Sequence, residues 1–149
     1  MPVFYLGLIL LAFEKELNSF PADLVIVVGD VTSTMACTLV AKKLDIKVAH
    51  VEGGIRSGDM TMPEEVNRIV TDSIADYFFT TSELANKNLL EEGKTKNQLF
   101  LVGNTMIDTL LNNKSRFYKP SIWNTLNLEA QQYIVLTMHR PANVDEERN

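Results

Sequence analysis

The sequence predicts an α/β fold, a parallel sheet with helices on its faces. Short β-branched or aromatic runs alternate four times with helical segments, the signature of strands joined by helical crossovers. The runs give way to Gly, Asp, Glu or Ser, and residues that start or stop helices fall between them.

"LGLILLAFEKEL" (Leu6 to Leu17) reads as a helix closed by "NSFPAD". "LVIVVGD" follows as a short apolar strand, expected to be buried on both faces. "STMACTLVAKKL" is helical and apolar nearly all round, as suits a helix covered by neighbours. "KVAHVEGG" is a second strand, "PEEVNRIVTDSIA" a helix with Pro63 at its first position, and "DYFFTT" a third strand. "SELANKNLLEEG" is a helix capped by Ser82 and stopped at Gly93. "QLFLVG" and "NTMIDTLLNN" add a fourth strand and its helix. Lys114 to Gln132 reads as a connection with one helical turn, and "YIVLTMHRP" as a new strand.

The 149 residues, 46% hydrophobic and 22% charged, suffice for one core but not for two full domains. Residues 1–115 are expected to form most of one domain. Residues 116–149 are expected to form a linker and the first strand and loop of a second, because a strand and loop alone bury too little surface. A net charge of −5 without a Lys/Arg block argues against nucleic acid or an anionic membrane as partner. The single cysteine, Cys37, builds no disulfide and accords with a reducing cytoplasm. The apolar run Val3 to Phe13 has no preceding Lys or Arg and no small-residue cleavage site after it. It is also too short to span a bilayer, so it reads as a buried helix, and a domain opening so abruptly is expected to have something before it.

In open parallel sheets, ligands collect beyond the carboxyl ends of the strands. Asp30, Glu52 and His139 each close a predicted strand. Asp30 stands just before Thr32, Ser33 and Thr34, and its plain structural reading is a turn and helix cap. Glu52 follows "KVAHV" directly and precedes Gly53 and Gly54, which free the backbone to approach a ligand. Limited water around such a carboxyl group suits it to proton transfer, whereas a solvated loop acid is the plain alternative. Glu64 and Glu65 open a helix whose dipole favours acids there. Helical geometry puts Glu64, Asn67, Arg68 and Thr71 on one face, opposite Val66, Ile69 and Val70. That polar face either lines a pocket or meets solvent. His139 and Arg140 suit a phosphate-like leaving group, while His50, inside an apolar strand, reads as a hydrogen-bonded core or near-site histidine. Two histidines and one cysteine lack metal-ligand spacing, and no Walker-type or G-x-G-x-x-G element is present. No metal and no cofactor are expected.

Taken together, "VVGDVTSTMACTLVAKKLDIKVAHVEGGIRSGD", "MPEEVNRIVTD", "FLVGNTMIDTLL" and "LTMHRPANVD" resemble the bacterial non-hydrolysing UDP-N-acetylglucosamine 2-epimerases, in matching order. The resemblance implies a glycosyltransferase-B-type fold, with a nucleotide sugar between two Rossmann-like halves. It implies interconversion of UDP-GlcNAc and UDP-ManNAc. Loss of the C2 proton and expulsion of UDP give a 2-acetamidoglucal, and UDP re-adds while a proton arrives from the opposite face. By motif match, Asp30, Glu52 and Glu64 fall on the family's catalytic acids and His139 on its catalytic histidine, expected with Arg140 to assist the diphosphate. Arg56 and Arg68 are candidates for anchoring loop or substrate. A homodimer is expected of the full-length enzyme.

Gly53 departs from the family's usual Ala, and Gly58 and Met60 from its common Phe and Arg. The family's opening strand, with its Gly-Thr-Arg-Pro-Glu loop, and nearly all of its UDP-binding domain have no counterpart in these residues. The isolated chain is therefore expected to bind UDP too weakly to turn over. The hydrolysing branch, releasing UDP and free ManNAc, is the rival enzyme reading, against which "MPEE" and "HRPANVD" weigh. A non-catalytic binding module is the rival of another class.

Overall fold

The structure, a computed structural model, describes residues 2–138. The chain divides into two compact units, residues 1–110 and 111–149. The first holds β1 (Leu24–Val28), β2 (Lys47–Val51), β3 (Tyr77–Thr80) and β4 (Leu99–Leu101), all parallel and in the order β1-β2-β3-β4. Their register aligns Val27 with His50, His50 with Phe78, and Phe78 with Leu99. The helices are α1 (Pro2–Ser19), α2 (Thr32–Lys43), α3 (Pro63–Ile74), α4 (Glu83–Glu91) and α5 (Thr105–Asn113), the last crossing the division between units. Sequential strand order follows from crossovers each returning the chain beside the strand it left.

The core is built from Val25, Val27, Val48 and Phe78 of the sheet, Leu17 of α1, Val40 and Ala41 of α2, and Leu89 of α4. Small residues let α2 sit close against α1, α3, β1 and β2 at once, as its all-round apolar sequence predicts. Ser82 caps α4 by accepting the Ala85 N–H, and Gly93 takes the left-handed position just past its end. At the amino ends of the strands, Asp76 accepts from Lys42 Nζ at 2.8 Å, Lys47 Nζ at 2.9 Å and Val48 N at 2.9 Å. Burial raises its pKa, but the two lysines and the amide outweigh that and hold it at about 2.

Three expectations are corrected. β1 is not buried on both faces. Val25 and Val27 face the core, whereas Leu24, Ile26 and Val28 are exposed, because no described element covers that side. α1 is only partly buried. Leu17 enters the core while Phe4, Tyr5 and Leu11 stand exposed, since α1 packs against α2 and leaves its remaining surface uncovered among the described residues. No helix among the described residues is long and apolar enough to cross a membrane. Finally, no strand forms over residues 133–138, where Ile134 is 93% exposed. An extended run becomes a strand only when a partner takes up its backbone groups.

In the second unit, a single 3-10 turn (Lys114–Arg116) precedes the short α6 (Ile122–Thr125). Trp123 meets Tyr133 edge-on with ring centroids 5.6 Å apart, and Lys119 Nζ stands 5.1 Å from the Trp123 ring centroid.

Candidate active site

The candidate site lies where β1 and β2 end and α3 begins. Gly29 and Glu52 are the residues at which the two neighbouring strands turn out of the sheet, and both backbones are left-handed, at φ +69° and +70°. Gly29 adopts that conformation freely, whereas for Glu52 it costs on the order of 1–3 kcal/mol. Glu52 is held there by its N–H, which donates to the Phe79 carbonyl at 2.9 Å. The Gly29 N–H likewise donates to the Val51 carbonyl at 3.0 Å. The second bond joins the ends of β1 and β2, and Glu52 Oε2 lies 3.8 Å from where a Cβ on Gly29 would stand. Asp30 and Glu52, both half-buried, thus leave adjacent strand ends.

Asp30 does not cap α2, contrary to its plain reading. Val31 occupies that position without a side-chain cap, and Thr34 Oγ1 turns back to the Val28 carbonyl at 2.7 Å. Instead, the Asp30 carboxylate is paired with Arg68 of α3, and its carbonyl accepts from Asn67 Nδ2 at 2.8 Å. Arg68 also reaches Glu65 Oε2 at 2.9 Å. Glu65 in turn accepts the Ser57 N–H at 3.0 Å and the Gly58 N–H at 2.9 Å. Burial raises the Glu65 pKa, but those amides and Arg68 outweigh it and hold the carboxyl at about 2. Arg68 itself is kept protonated, burial lowering its pKa and the two acids raising it further. Glu64, one residue earlier, is exposed, and its side chain has no hydrogen bond or ion pair among the described residues.

A second network stands behind the first. His50 and Asp72 are wholly buried, with Nδ1 2.6 Å from Asp72 Oδ1 and Nε2 2.9 Å from the Gly29 carbonyl. Asp72 Oδ2 accepts the Gly54 N–H at 3.0 Å and Arg56 Nη1 at 2.7 Å. Arg56 also forks onto Glu92 at 2.7 and 2.6 Å. Its guanidinium thereby ties the loop after β2 to Asp72 of α3 and to Glu92 just past α4. Gly54, at φ +82°, has no room for a Cβ, which would collide with the Ala85 carbonyl oxygen. At Gly53 a Cβ would stand 3.0 Å from Phe78 Cδ1 and 3.4 Å from His50 Nδ1, so its absence lets those groups close in.

The structure therefore gathers Asp30, Glu52, Arg68 and the first turn of α3 at the carboxyl ends of β1 and β2. His139 and Arg140 lie outside the described residues. Sequence reasoning overlooked Glu65 and Asp72 as members of the buried polar framework. Their signal was present, since Glu65, Arg68 and Asp72 are spaced i, i+3, i+7, a charged stripe along one helix face. The inward side of α3 includes Glu65, Asn67, Thr71 and Asp72, whereas Val66 of the apolar face is exposed.

Fold and site together define a Rossmann-like α/β unit with carboxylates clustered beyond its strand ends. The chain belongs to the UDP-N-acetylglucosamine 2-epimerase family, whose sequence profile matches residues 4–149. UDP-N-acetylglucosamine 2-epimerase of Methanocaldococcus jannaschii is 44% identical over 143 residues, covering 93% of this chain and 39% of that protein. UDP-2,3-diacetamido-2,3-dideoxy-D-glucuronate 2-epimerase of Pseudomonas aeruginosa is 36% identical, covering 94% and 39%. The solved M. jannaschii UDP-GlcNAc 2-epimerase in complex with UDP-GlcNAc and UDP superposes with a TM-score of 0.83 at 43% identity, covering 98% of this chain and 41% of that one. The chain thus spans about two-fifths of the length of these relatives.

Proposed function

We propose that the chain supplies the sugar-facing acids of an enzyme that interconverts UDP-GlcNAc and UDP-ManNAc, in a two-domain glycosyltransferase-B-type assembly that is homodimeric at full length. One carboxylate takes the C2 proton as the C1–O bond breaks and its electron pair leaves on UDP, giving the 2-acetamidoglucal. UDP then re-adds through oxygen to C1 while a second acid returns a proton to the other face of C2. Inversion thus requires acids on two sides of one carbon. The observation that carries this reading is the convergence of Asp30 and Glu52 from adjacent strand ends, with Arg68 tying Asp30 to α3, whose first turn carries Glu64. Asp30, Glu52 and Glu64 form the acid/base set. Arg68 orients Asp30, Arg56 anchors the loop, and His139 with Arg140 receives the charge developing on the diphosphate.

The test is a chimera in which this chain replaces the matching segment of the M. jannaschii relative, incubated with UDP-GlcNAc in deuterated water. Deuterium at C2 with formation of UDP-ManNAc is expected. A folded chimera showing no exchange would refute the reading, and release of free ManNAc would replace it with hydrolysis. The P. aeruginosa relative favours one further reading, the same inversion on a diacetamido uronate, and repeating the assay with that nucleotide sugar separates the two.

A further inference from the structure

The His50 ring stands between two acceptors, the Asp72 carboxylate at Nδ1 and the Gly29 carbonyl at Nε2. A neutral imidazole has one N–H and one bare nitrogen, so either tautomer would set a lone pair against an oxygen in a dry interior, an arrangement that costs a buried group its hydrogen bond. Asp72 cannot supply the missing hydrogen as a carboxylic acid. The Gly54 N–H and Arg56, a permanent cation, both donate to its Oδ2 at 3.0 and 2.7 Å, and a carboxyl group so held keeps its charge. Arg56, Asp72 and the exposed Glu92 carry one positive and two negative charges, so a cationic His50 leaves the four linked groups neutral together. Lys94, which also acts on Asp72 electrostatically, donates instead to the Ser73 carbonyl at 2.8 Å.

We infer that His50 is an imidazolium, protonated on both ring nitrogens, and that the His50–Asp72 ion pair is the positioning element locking the Asp30 and Glu52 loops to one another. One end of the pair holds the Gly29 carbonyl, next to Asp30, and the other holds the Gly54 N–H, two residues past Glu52. The charge state stands on the geometry alone; the benefit to catalysis rests on the proposed roles of Asp30 and Glu52.

The experiment is nitrogen NMR of the 149-residue chain labelled at histidine, with a His139→Gln copy that leaves His50 as the one histidine. At neutral pH both ring nitrogens are expected at protonated positions, each coupled to its own hydrogen, with a coupling across the hydrogen bond from Nε2 to the Gly29 carbonyl carbon. A bare, pyridine-type nitrogen on His50 would overturn the charge state, and absence of the coupling would overturn the lock. Asp72→Asn keeps an acceptor for Gly54 and removes the charge. It is expected to return His50 to one proton and to shift the amide signals of Gly29, Asp30, Glu52 and Gly53 together. Shifts confined to Gly54 and Arg56 would overturn the positioning role. None of these readouts requires turnover, so failure of the epimerase reading leaves them intact.

Discussion

Glu64 and Glu65 occupy consecutive positions in the first turn of α3, and their surroundings are opposite. Glu64 is exposed and has no side-chain partner among the described residues. Glu65 is 1% exposed and takes two backbone N–H groups and a guanidinium. An acid already held by three fixed donors cannot exchange a proton near neutrality. An acid meant to do so must be left without them. The helix therefore spends one carboxylate on its framework and keeps its neighbour available, and on the proposed reading the available one faces the sugar.

The largest expected effect is on catalysis. In the active chimera, Glu52→Gln and Glu64→Gln should each lower turnover by at least about a hundredfold, measured as C2 deuterium exchange, and near-normal exchange in either would remove that residue from the acid/base set. Stability should sort the pair the other way. Glu65→Gln keeps one oxygen for the Ser57 and Gly58 amides but sets its own amide N–H against Arg68 Nη1, and is expected to cost about 2–4 kcal/mol in urea unfolding. Glu64→Gln should stay within about 0.5 kcal/mol. Equal losses would mean that the two environments are not distinct.

Acid sharpens the contrast. The Glu65 carboxyl is lowered from 4.5 to about 2 on folding, so it adds stability that is complete above 4.5 and is lost as the pH falls through about 2. Asp76, lowered from 3.8 to about 2, acts in the same direction. The stability of the chain should therefore decline between about pH 4.5 and 2, and the decline should be shallower in Glu65→Gln, as followed by circular dichroism. The smallest effect concerns Gly53. Gly53→Ala places a methyl 3.0 Å from the edge of Phe78, and a loss of about 1 kcal/mol is expected.

The alternation of strands and helices was legible because each strand here is a short β-branched or aromatic run and each helix begins or ends on a residue with local chemistry, as at Pro63, Ser82 and Gly93. The grouping of acids at strand ends was legible for the same reason, since the topology of a parallel sheet decides where those ends lie. Choosing between Glu64 and Glu65 was not. That choice depends on the Ser57 and Gly58 amides, donors supplied by a loop whose path the sequence does not print. The inward face of α3 stayed open likewise, because helical spacing separates a polar side from an apolar one without saying which is covered, and the amides of a neighbouring loop make the polar side the satisfied one. The half-covered state of β1 was hidden too, since Leu24, Ile26 and Val28 carry the same kind of side chain as Val25 and Val27.

That half-covered strand has a practical consequence. β1 ladders only with β2 among the described residues, and Ile26, 60% exposed, sits midway along its greasy side. A sheet margin with open backbone groups and an oily flank templates the addition of foreign strands. Concentrated preparations should therefore scatter light and bind apolar dyes in the fully native state, and solubility will set the ceiling for every measurement made on the purified chain.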